Sequence, residues 1–399
     1  MSTLKVDNIR HNSATSDAIT MASDGTCTAK LTSIGGGGLS HRNIIINGAM
    51  NIAQRATSST SGGGYNTVDR IDYRVSGADE TPTQSQVDVA SGTTPYTLGF
   101  RKAFRFTNGN QTGGAGTSDY LFLFYQVEAQ DIVQSGWNYV SPTSFITLSF
   151  WVKSSVAQNF YGYIRSRENT EQSHSYETGT LSANTWTKVT KTFAGNSNIV
   201  MDNDNGQGLG IYLAPFFGTD YTDNSKGTSA WSDYTNPTRT PDSTSTWWTT
   251  NDATFEITGL QLEVGDTATS FEHRSYADEL RRCYRYFVKY YGSTGGISTG
   301  DGAIATLANY SNTSAYGPIY LPVDMRATPS PHNPPNYSNL VYYSAGNTFT
   351  PSGNQVAFVG AAVNRVELRL NSMTNMSAGN AGWLRIASPS GYIEFNAEL

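Results

Sequence analysis

The sequence predicts a mostly β protein: an N-terminal hairpin, a large jelly-roll sandwich, a short helical connector and a small C-terminal β-sandwich. Three features carry that expectation. Alternating apolar runs recur along the chain, separated by Gly, Asn, Asp and Ser turn signals. Aromatics make up 12% of the 399 residues and charged residues only 15%, a mixture that favours short strands joined by polar turns. A helical apolar period is confined to Ser275–Tyr291, between two β-rich regions.

Residues 1–38 are too few to bury a core, yet they carry strand signals. Leu4, Val6 and Ile9 open the segment. Ile19 and Met21 alternate before Ser23-Asp24-Gly25, and Cys27, Ala29 and Leu31 alternate after it, which is a hairpin pattern. Apolar strands without a core of their own need a partner. Gly35–Gly38 reads as a flexible joint.

Residues 39–272 read as the jelly roll, with roughly ten strands expected from the spacing of runs. Arg42–Gly48 is expected to open it. Ile71, Tyr73 and Val75 alternate, and Phe100, Phe104 and Phe106 share a face. Tyr120–Val127 is a continuous apolar run suited to a central strand. Ile146–Val152, Phe160–Ile164, Thr185–Phe193 and Leu209–Leu213 follow. The last strand, Phe255–Val264, alternates through Phe255 and Ile257, then slips one residue to Leu260, Leu262 and Val264. A β-bulge at Gly259 restores the inward face.

The connector, residues 273–292, is predicted to be helical from Ser275, an N-cap with Asp278 and Glu279 in the first turn, to Tyr291 before Gly292. Tyr276, Leu280, Cys283, Tyr284, Phe287 and Tyr291 fall on one stripe. Residues 293–399 read as a second β unit: Ile319–Val323, Val356–Val359, Val366–Leu370, Leu384–Ile386 and Tyr392–Phe395. Pro329, Pro331, Pro334 and Pro335 mark a stiff loop.

The net charge of −6, with no Lys/Arg run, argues against nucleic acid or an anionic membrane as partner. No stretch approaches the length of a membrane span, and Met1–Val6 has no apolar leader, so synthesis in a cytoplasm is expected. Cys27 and Cys283 lie in different regions and give no disulfide framework.

Gly218–Asp252 is a long polar interval that nonetheless holds Trp231, Tyr234, Trp247 and Trp248, so it is expected to be ordered. Those four rings are a candidate sugar platform, with Asp233, Asn236 and Asp242 accepting hydroxyls. The alternative is that Trp247 and Trp248 cover the sandwich edge or pack between subunits. Asp202-Asn203-Asp204-Asn205-Gly206 resembles the start of a calcium loop, but Leu213 stands where the closing Glu belongs, which favours an Asx-rich turn. Glu128 with Asp131, Asp69 with Asp72, and Glu168 with Glu171 are the carboxylate pairs a glycosidase reading would use. No HExxH, GxSxG or Cys–His pairing is present, so no catalytic residue, metal or cofactor is expected.

Several segments together resemble the receptor-binding tail fibres of marine podoviruses (cyanophage- and pelagiphage-like). They are Ser2–Ile9 with Ala18–Thr26; Arg42–Met50, Gln54-Arg55 and Val68-Asp69-Arg70; Ile257–Gly265, Phe271–Arg274 and Leu280–Phe287; and Leu321–Pro329 with Glu394–Leu399. Ile71 departs from the pattern, where an aromatic often follows the Asp-Arg pair. The resemblance implies a homotrimeric, non-catalytic virion protein. Leu4, Val6, Ile9, Ile19 and Met21 would dock on a tail adaptor or nozzle protein. The sandwich would be similar to carbohydrate-binding modules. A host surface glycan or other receptor would be met by the tip or by the jelly roll. The stripe from Tyr276 to Tyr291 would then be the trimer seam, or else lie on its own sandwich. A purely structural tail or decoration protein is the rival reading, and a glycan-degrading tail enzyme a further one.

Overall fold

Alternation in the sequence becomes three β units. The computed structural model describes residues 6–10, 12–13, 15–24, 27–29, 41–292, 303–331, 340–352, 355–386 and 391–399. In the first unit, β1 (Asn8–Ile9), β2 (Ile19–Met21) and β3 (Cys27–Ala29) form an antiparallel sheet in that order, with β2 and β3 paired as the hairpin pattern requires. Val6, Ile9 and Met21 are exposed and Ile19 is half-buried. Leu4 lies outside the described residues.

The second unit is a sandwich of two six-stranded antiparallel sheets. Its strands in chain order are β4 (Ser58–Ser59), β5 (Asp72–Ser76), β6 (Thr83–Asp88), β7 (Lys102–Thr107), β8 (Tyr120–Glu128), β9 (Phe145–Ser154), β10 (Asn159–Ser166), β11 (Gln172–Thr180), β12 (Thr187–Ala194), β13 (Gln207–Phe217), β14 (Ser232–Asp233) and β15 (Thr254–Val264). One sheet runs β14-β11-β10-β13-β8-β5 and the other β12-β9-β15-β7-β6-β4. Alternate residues of both meet in one core, among them Leu121, Leu123, Ile211 and Leu213 from the first sheet and Ile146, Leu148, Phe150 and Val152 from the second. This is a jelly-roll architecture.

β15 carries the predicted bulge. Gly259 has φ +64, and the register with β9 shifts between Thr258 and Gln261. Phe255 and Ile257 before it, and Leu260 and Leu262 after it, all enter the same core. A Cβ at Gly259 would stand 2.7 Å from Phe100 Cζ, so sterics and backbone both require glycine.

Residues 42–48 do not form the expected opening strand. The Asn43 side chain substitutes for ladder bonds: Nδ2 donates to the Leu260 carbonyl (3.2 Å), while Oδ1 accepts from the amides of Leu262 (3.1 Å) and Ile45 (3.0 Å). A local side-chain bond of this kind competes with sheet pairing.

The connector departs further from expectation. The helix spans only Tyr276–Cys283, capped by Ser275, whose Oγ accepts from the Asp278 amide. The chain then turns and enters a strand at Phe287–Tyr291. Two facts favour the strand. The run Tyr286-Phe287-Val288 has strand propensity, and its successive side chains serve different cores. Phe287 lies beneath the Arg55 guanidinium of the sandwich (3.6 Å to the ring centroid), while Val288 enters the core of the third unit. Alternation by two does this; a helical period does not. The seam stripe therefore does not exist as a stripe. Cys283 and Phe287 are interior to this chain, Leu280 and Tyr284 are half-buried, and Tyr276 and Tyr291 are exposed.

That strand is β16 (Phe287–Tyr291). The third unit continues with β17 (Ala303–Asn309), β18 (Ala315–Tyr320), β19 (Ser330–Pro331), β20 (Leu340–Ser344), β21 (Asn347–Phe349), β22 (Val356–Ala362), β23 (Arg365–Leu370), β24 (Ala381–Ile386) and β25 (Tyr392–Asn396). A seven-stranded sheet, β21-β20-β24-β17-β18-β23-β22, packs on a three-stranded one, β16-β25-β19. Pro331, expected in a loop, sits at the end of a two-residue edge strand, a position proline tolerates.

The second and third units share a buried charge cluster. Arg70 is fully buried, with φ +71, a backbone conformation a bulky residue holds only when its surroundings impose it. Its guanidinium pairs with Glu398, donates to the Gln126 carbonyl (2.6 Å) and stacks on Tyr286 (3.5 Å). Arg55 also reaches Glu398 (3.2 Å). Burial would lower the Arg70 pKa, but the Glu398 charge together with the Tyr125, Tyr286 and Tyr65 side chains outweighs it and holds the guanidinium charged. Nearby, the fully buried Glu128 carboxylate accepts two bonds from Arg285 (2.7 and 2.6 Å) and one from Tyr286 (2.6 Å). Burial would raise its pKa, yet these bonds hold it below the ordinary value. Arg326 closes the cluster by donating to the Ala397 and Glu398 carbonyls, both at 2.8 Å.

Glu398→Ala is expected to cost roughly 3–5 kcal/mol in urea unfolding, because it strands a buried guanidinium. Asp72 gives a pH test. Burial pushes its carboxyl up to about 6 despite the Arg74 charge, so the folded state binds this proton more tightly than the unfolded chain does. Its contribution is therefore fully present below the unfolded value and lost as pH rises through about 6. Asp72→Asn is expected to be more stable than the parent at neutral pH and no more stable at pH well below 4, as read by urea midpoints.

Candidate functional site

The aromatic interval expected to form a platform folds back onto the sandwich instead. Trp247 and Trp248 are wholly buried in the sandwich core. They lie in a turn, not a strand, so alternation does not force one of them outward. Trp247 Nε1 donates to the Thr254 carbonyl (3.1 Å) and Trp248 Nε1 to the Gly114 carbonyl (3.0 Å), while Trp248 stacks on Phe216. Neither ring is available to a ligand. Trp231 is half-buried, donates to the Ala194 carbonyl (2.7 Å) and meets His174 edge-on.

Tyr234 ends a ladder of rings on the outer face of the first sheet. Phe124 stacks on Tyr212 (5.4 Å, 13°), Tyr212 on Tyr163 (4.3 Å, 7°), and Tyr163 on Tyr234 (6.1 Å, 30°), with Arg165 over Tyr234 at 3.3 Å. Beside the ladder, Arg239 from the interval sits among Tyr120, Phe122, Phe217 and Tyr221, 4.5–5.8 Å from their centroids. Asp233, Asn236 and Asp242 are engaged by Gln172, Arg239 and Thr222. The interval is thus a cover held by cation–π contact and hydrogen bonds.

Of the candidate carboxylate pairs, every member but the exposed Asp131 is similarly engaged. Glu128 and Asp72 are bound as described, and Asp69 accepts from Gln54. Glu168 accepts from the Asp202 amide, and Glu171 pairs with Arg165 and Arg167. Asp204 accepts from the Gly206 amide (2.8 Å), an Asx turn. Among the described residues no group of three or more His, Cys, Asp or Glu is placed to hold a metal.

A concavity of about 800 Å³ lies between the sandwich, the helix Tyr276–Cys283 and residues 323–324. Charges of both signs line it, including Arg281, Arg282, Asp131 and Asp324, and several others there already pair with one another. It presents no open aromatic face, since Tyr286 is buried.

Exposed rings are concentrated elsewhere. Among the described residues, five aromatics are more than half exposed: Tyr276, Tyr291, Tyr310, Tyr320 and Trp383. All lie outside the sandwich. Trp383 is 60% exposed, whereas the other six tryptophans are buried or half-buried. It stands on β24, between the inward-facing Gly382 and Leu384. Cross-strand pairing sets Tyr343 of β20 on one side of it and Thr306 of β17 on the other. Tyr343 is in turn opposite Thr348 of β21, so the row Thr348–Tyr343–Trp383–Thr306 crosses four strands on the solvent face. A groove of about 390 Å³ follows this row from Tyr343 to Thr306, rimmed by the turn Ala345-Gly346. Both turn residues have positive φ (50° and 80°), the two-residue turn that matches strand twist. Glycine is required at 382 beneath the groove: a Cβ there would point into the core, 2.6 Å from the buried Tyr342 ring. Tyr342 itself is in the core. Tyr310 and Tyr316 are in edge contact further across the sheet, and Tyr337 lies outside the described residues.

The sequence held the signal for Trp383. Leu384 and Ile386 alternate inward, which places the tryptophan before them on the outer face.

No family model and no curated protein matches the chain. Among solved structures it is similar to the enzymatically active domain of tailspike protein 4 from bacteriophage CBA120, at 9% identity and TM-score 0.30 over 57% of this chain and 22% of that one. It is similar to an arabinose-bound α-L-arabinofuranosidase, MgGH51, at 10% identity and TM-score 0.30, over 63% of this chain and 30% of the other. It is also similar to the family 11 carbohydrate-binding module of Clostridium thermocellum in complex with a mixed-linked tetrasaccharide, at 11% identity and TM-score 0.25, over 53% and 95% of the two chains. The chain thus spans about a fifth of the tailspike domain and under a third of the arabinofuranosidase.

The two classes of tryptophan are expected to separate in unfolding measurements. Trp247→Ala should cost about 3–5 kcal/mol, as large core truncations do. Trp383→Ala should stay within about 0.5 kcal/mol of the parent, as exposed positions do.

Proposed function

We propose that this chain is a receptor-binding fibre protein of a phage tail, which recognises a cell-surface glycan without catalysis. The observation that carries the reading is the partition of aromatic rings. The sandwich hides its rings in a ladder, a cover and a core, while the distal sheet leaves Trp383 open beside a groove. Exposed rings of this kind offer a flat apolar face to the C–H side of a sugar at little entropic cost.

The rest of the chain fits that role. The N-terminal sheet, with Val6, Ile9 and Met21 exposed and no buried residue among the described residues of 6–24, suits docking on a tail adaptor or nozzle protein. Assembly is proposed to be trimeric, with Tyr276 and Tyr291 the members of the expected seam still free to meet another copy. In each candidate carboxylate pair at least one member is already engaged, which favours binding over hydrolysis. A structural tail or decoration protein is the alternative that the following test separates.

Labelled full-length protein is expected to bind host cells saturably and to compete with virion adsorption. Periodate oxidation of the cell-surface glycans should abolish binding, and Trp383→Ala should weaken it about tenfold, the scale of one aromatic contact. Binding that survives both treatments, or no competition at saturating protein, would overturn the reading in favour of a structural role.

A further inference from the structure

We infer that the groove along Asn347, Tyr343, Trp383 and Thr306 takes a neutral oligosaccharide laid across the strands. The inference rests on the glycan-recognition reading and names the ligand class and its direction.

Charge is the first argument. The groove is lined by Thr306, Tyr343, Asn347 and Trp383, with small residues between them, and none of the lining residues is ionisable at neutral pH. Arg385, two residues along β24, does not line it and is buried against the Tyr343 ring (5.4 Å to the centroid). An acidic sugar would find no cation in the groove. It would also approach a chain whose net charge is −6. A neutral sugar needs only apolar area and hydrogen-bonding groups that are not already used.

Those groups are present. Among the described residues, nothing donates to or accepts from the side chains of Thr306, Tyr343 or Asn347. Together they offer two hydroxyls and an amide, which can both donate and accept, as sugar hydroxyls require. The volume of about 390 Å³ lies in the range of small-ligand sites, about 300–1,000 Å³.

Spacing sets the direction. Neighbouring strands lie about 4.8 Å apart, close to the length of one pyranose ring in an extended chain. A chain running across β21, β20, β24 and β17 therefore places successive rings over successive side chains of the row. A chain running along β24 would meet only Trp383 among the rings, with Ala381 on one side and the buried Arg385 on the other.

The experiment titrates full-length protein with neutral gluco-, manno- and galacto-oligosaccharides of increasing length, and in parallel with uronic-acid oligomers. The readouts are tryptophan fluorescence and calorimetry. Expected are an emission change with a neutral series, affinity that rises with length until the four-strand row is covered, and indifference to added salt. Trp383→Ala should lose the response and weaken binding about tenfold or more, and Tyr343→Ala should weaken only the longer oligomers. Its melting temperature and the solution mass of Trp383→Ala should equal the parent's. Tighter, salt-sensitive binding of the uronates through Trp383 overturns the neutral class while leaving glycan recognition standing. Neutral binding untouched by Trp383→Ala overturns the groove. A fall in solution mass on Trp383→Ala assigns the face to a second copy and overturns the ligand. If neither series binds and periodate leaves cell binding intact, the glycan reading itself fails.

Discussion

A guanidinium removed from water has to be matched, and Arg70 sets that demand at the centre of the molecule. The sandwich supplies Arg70, Arg55 and Glu128. The distal unit and the turn that enters it supply Glu398, Arg326, Arg285 and Tyr286. Neither side satisfies its own charges. Breaking one partner of such a set costs several kcal/mol, because the survivor stays buried. The geometry of the molecule follows from this. The connector cannot continue as a helix past Cys283, since Tyr286 has to reach Glu128 and Phe287 has to lie beneath Arg55. β16 then begins where the distal core needs Val288.

Much of the fold was legible because period-two alternation follows from burial on one face. The slip at Gly259 could be read directly, since a break in alternation beside a glycine has one simple structural meaning. The connector misled because Leu280, Cys283, Tyr284, Phe287 and Tyr291 satisfy a helical period by coincidence. What decides against the helix, the need for Phe287 and Val288 to serve two cores, is a long-range fact absent from local spacing. Trp247 and Trp248 misled for a related reason: a ring pair in a polar interval looks like a surface platform until the turn around it is known to dive into the core. Several of the segments after residue 40 that carry the family resemblance meet in space. Gln54-Arg55, Asp69-Arg70, Arg285-Tyr286, Arg326 and Glu398 converge on the charge cluster, and Asn43 docks on Leu260 and Leu262. Such motifs report how the domains are joined and are silent on what the exposed face meets.

The two β units treat aromatic residues in opposite ways. On the sandwich, Tyr163, Tyr212, Tyr234 and Phe124 stack on one another, and Arg239 fills the space among four further rings. Rings arranged in this way stiffen a sheet and close its outer face. On the distal sheet, Trp383 stands open between Tyr343 and Thr306, and among the described residues the rings at Tyr310 and Tyr316 meet each other and Arg369. The difference lies in neighbours, not in composition: the interval 218–252 folds over the sandwich sheet, whereas among the described residues Trp383 stays exposed.

The groove beside Trp383 is shallow, with one indole face on one side and water on the other. A ligand resting there is never enclosed, so each contact forms and dissolves quickly. Lasting attachment to a surface then has to come from number. When several copies stand close enough to be engaged together, each lost contact is re-formed from within reach, at an effective concentration set by the distances between grooves. The strength of the hold becomes a property of the array that displays the sheets, tuned by spacing and copy number without changing a residue of the groove.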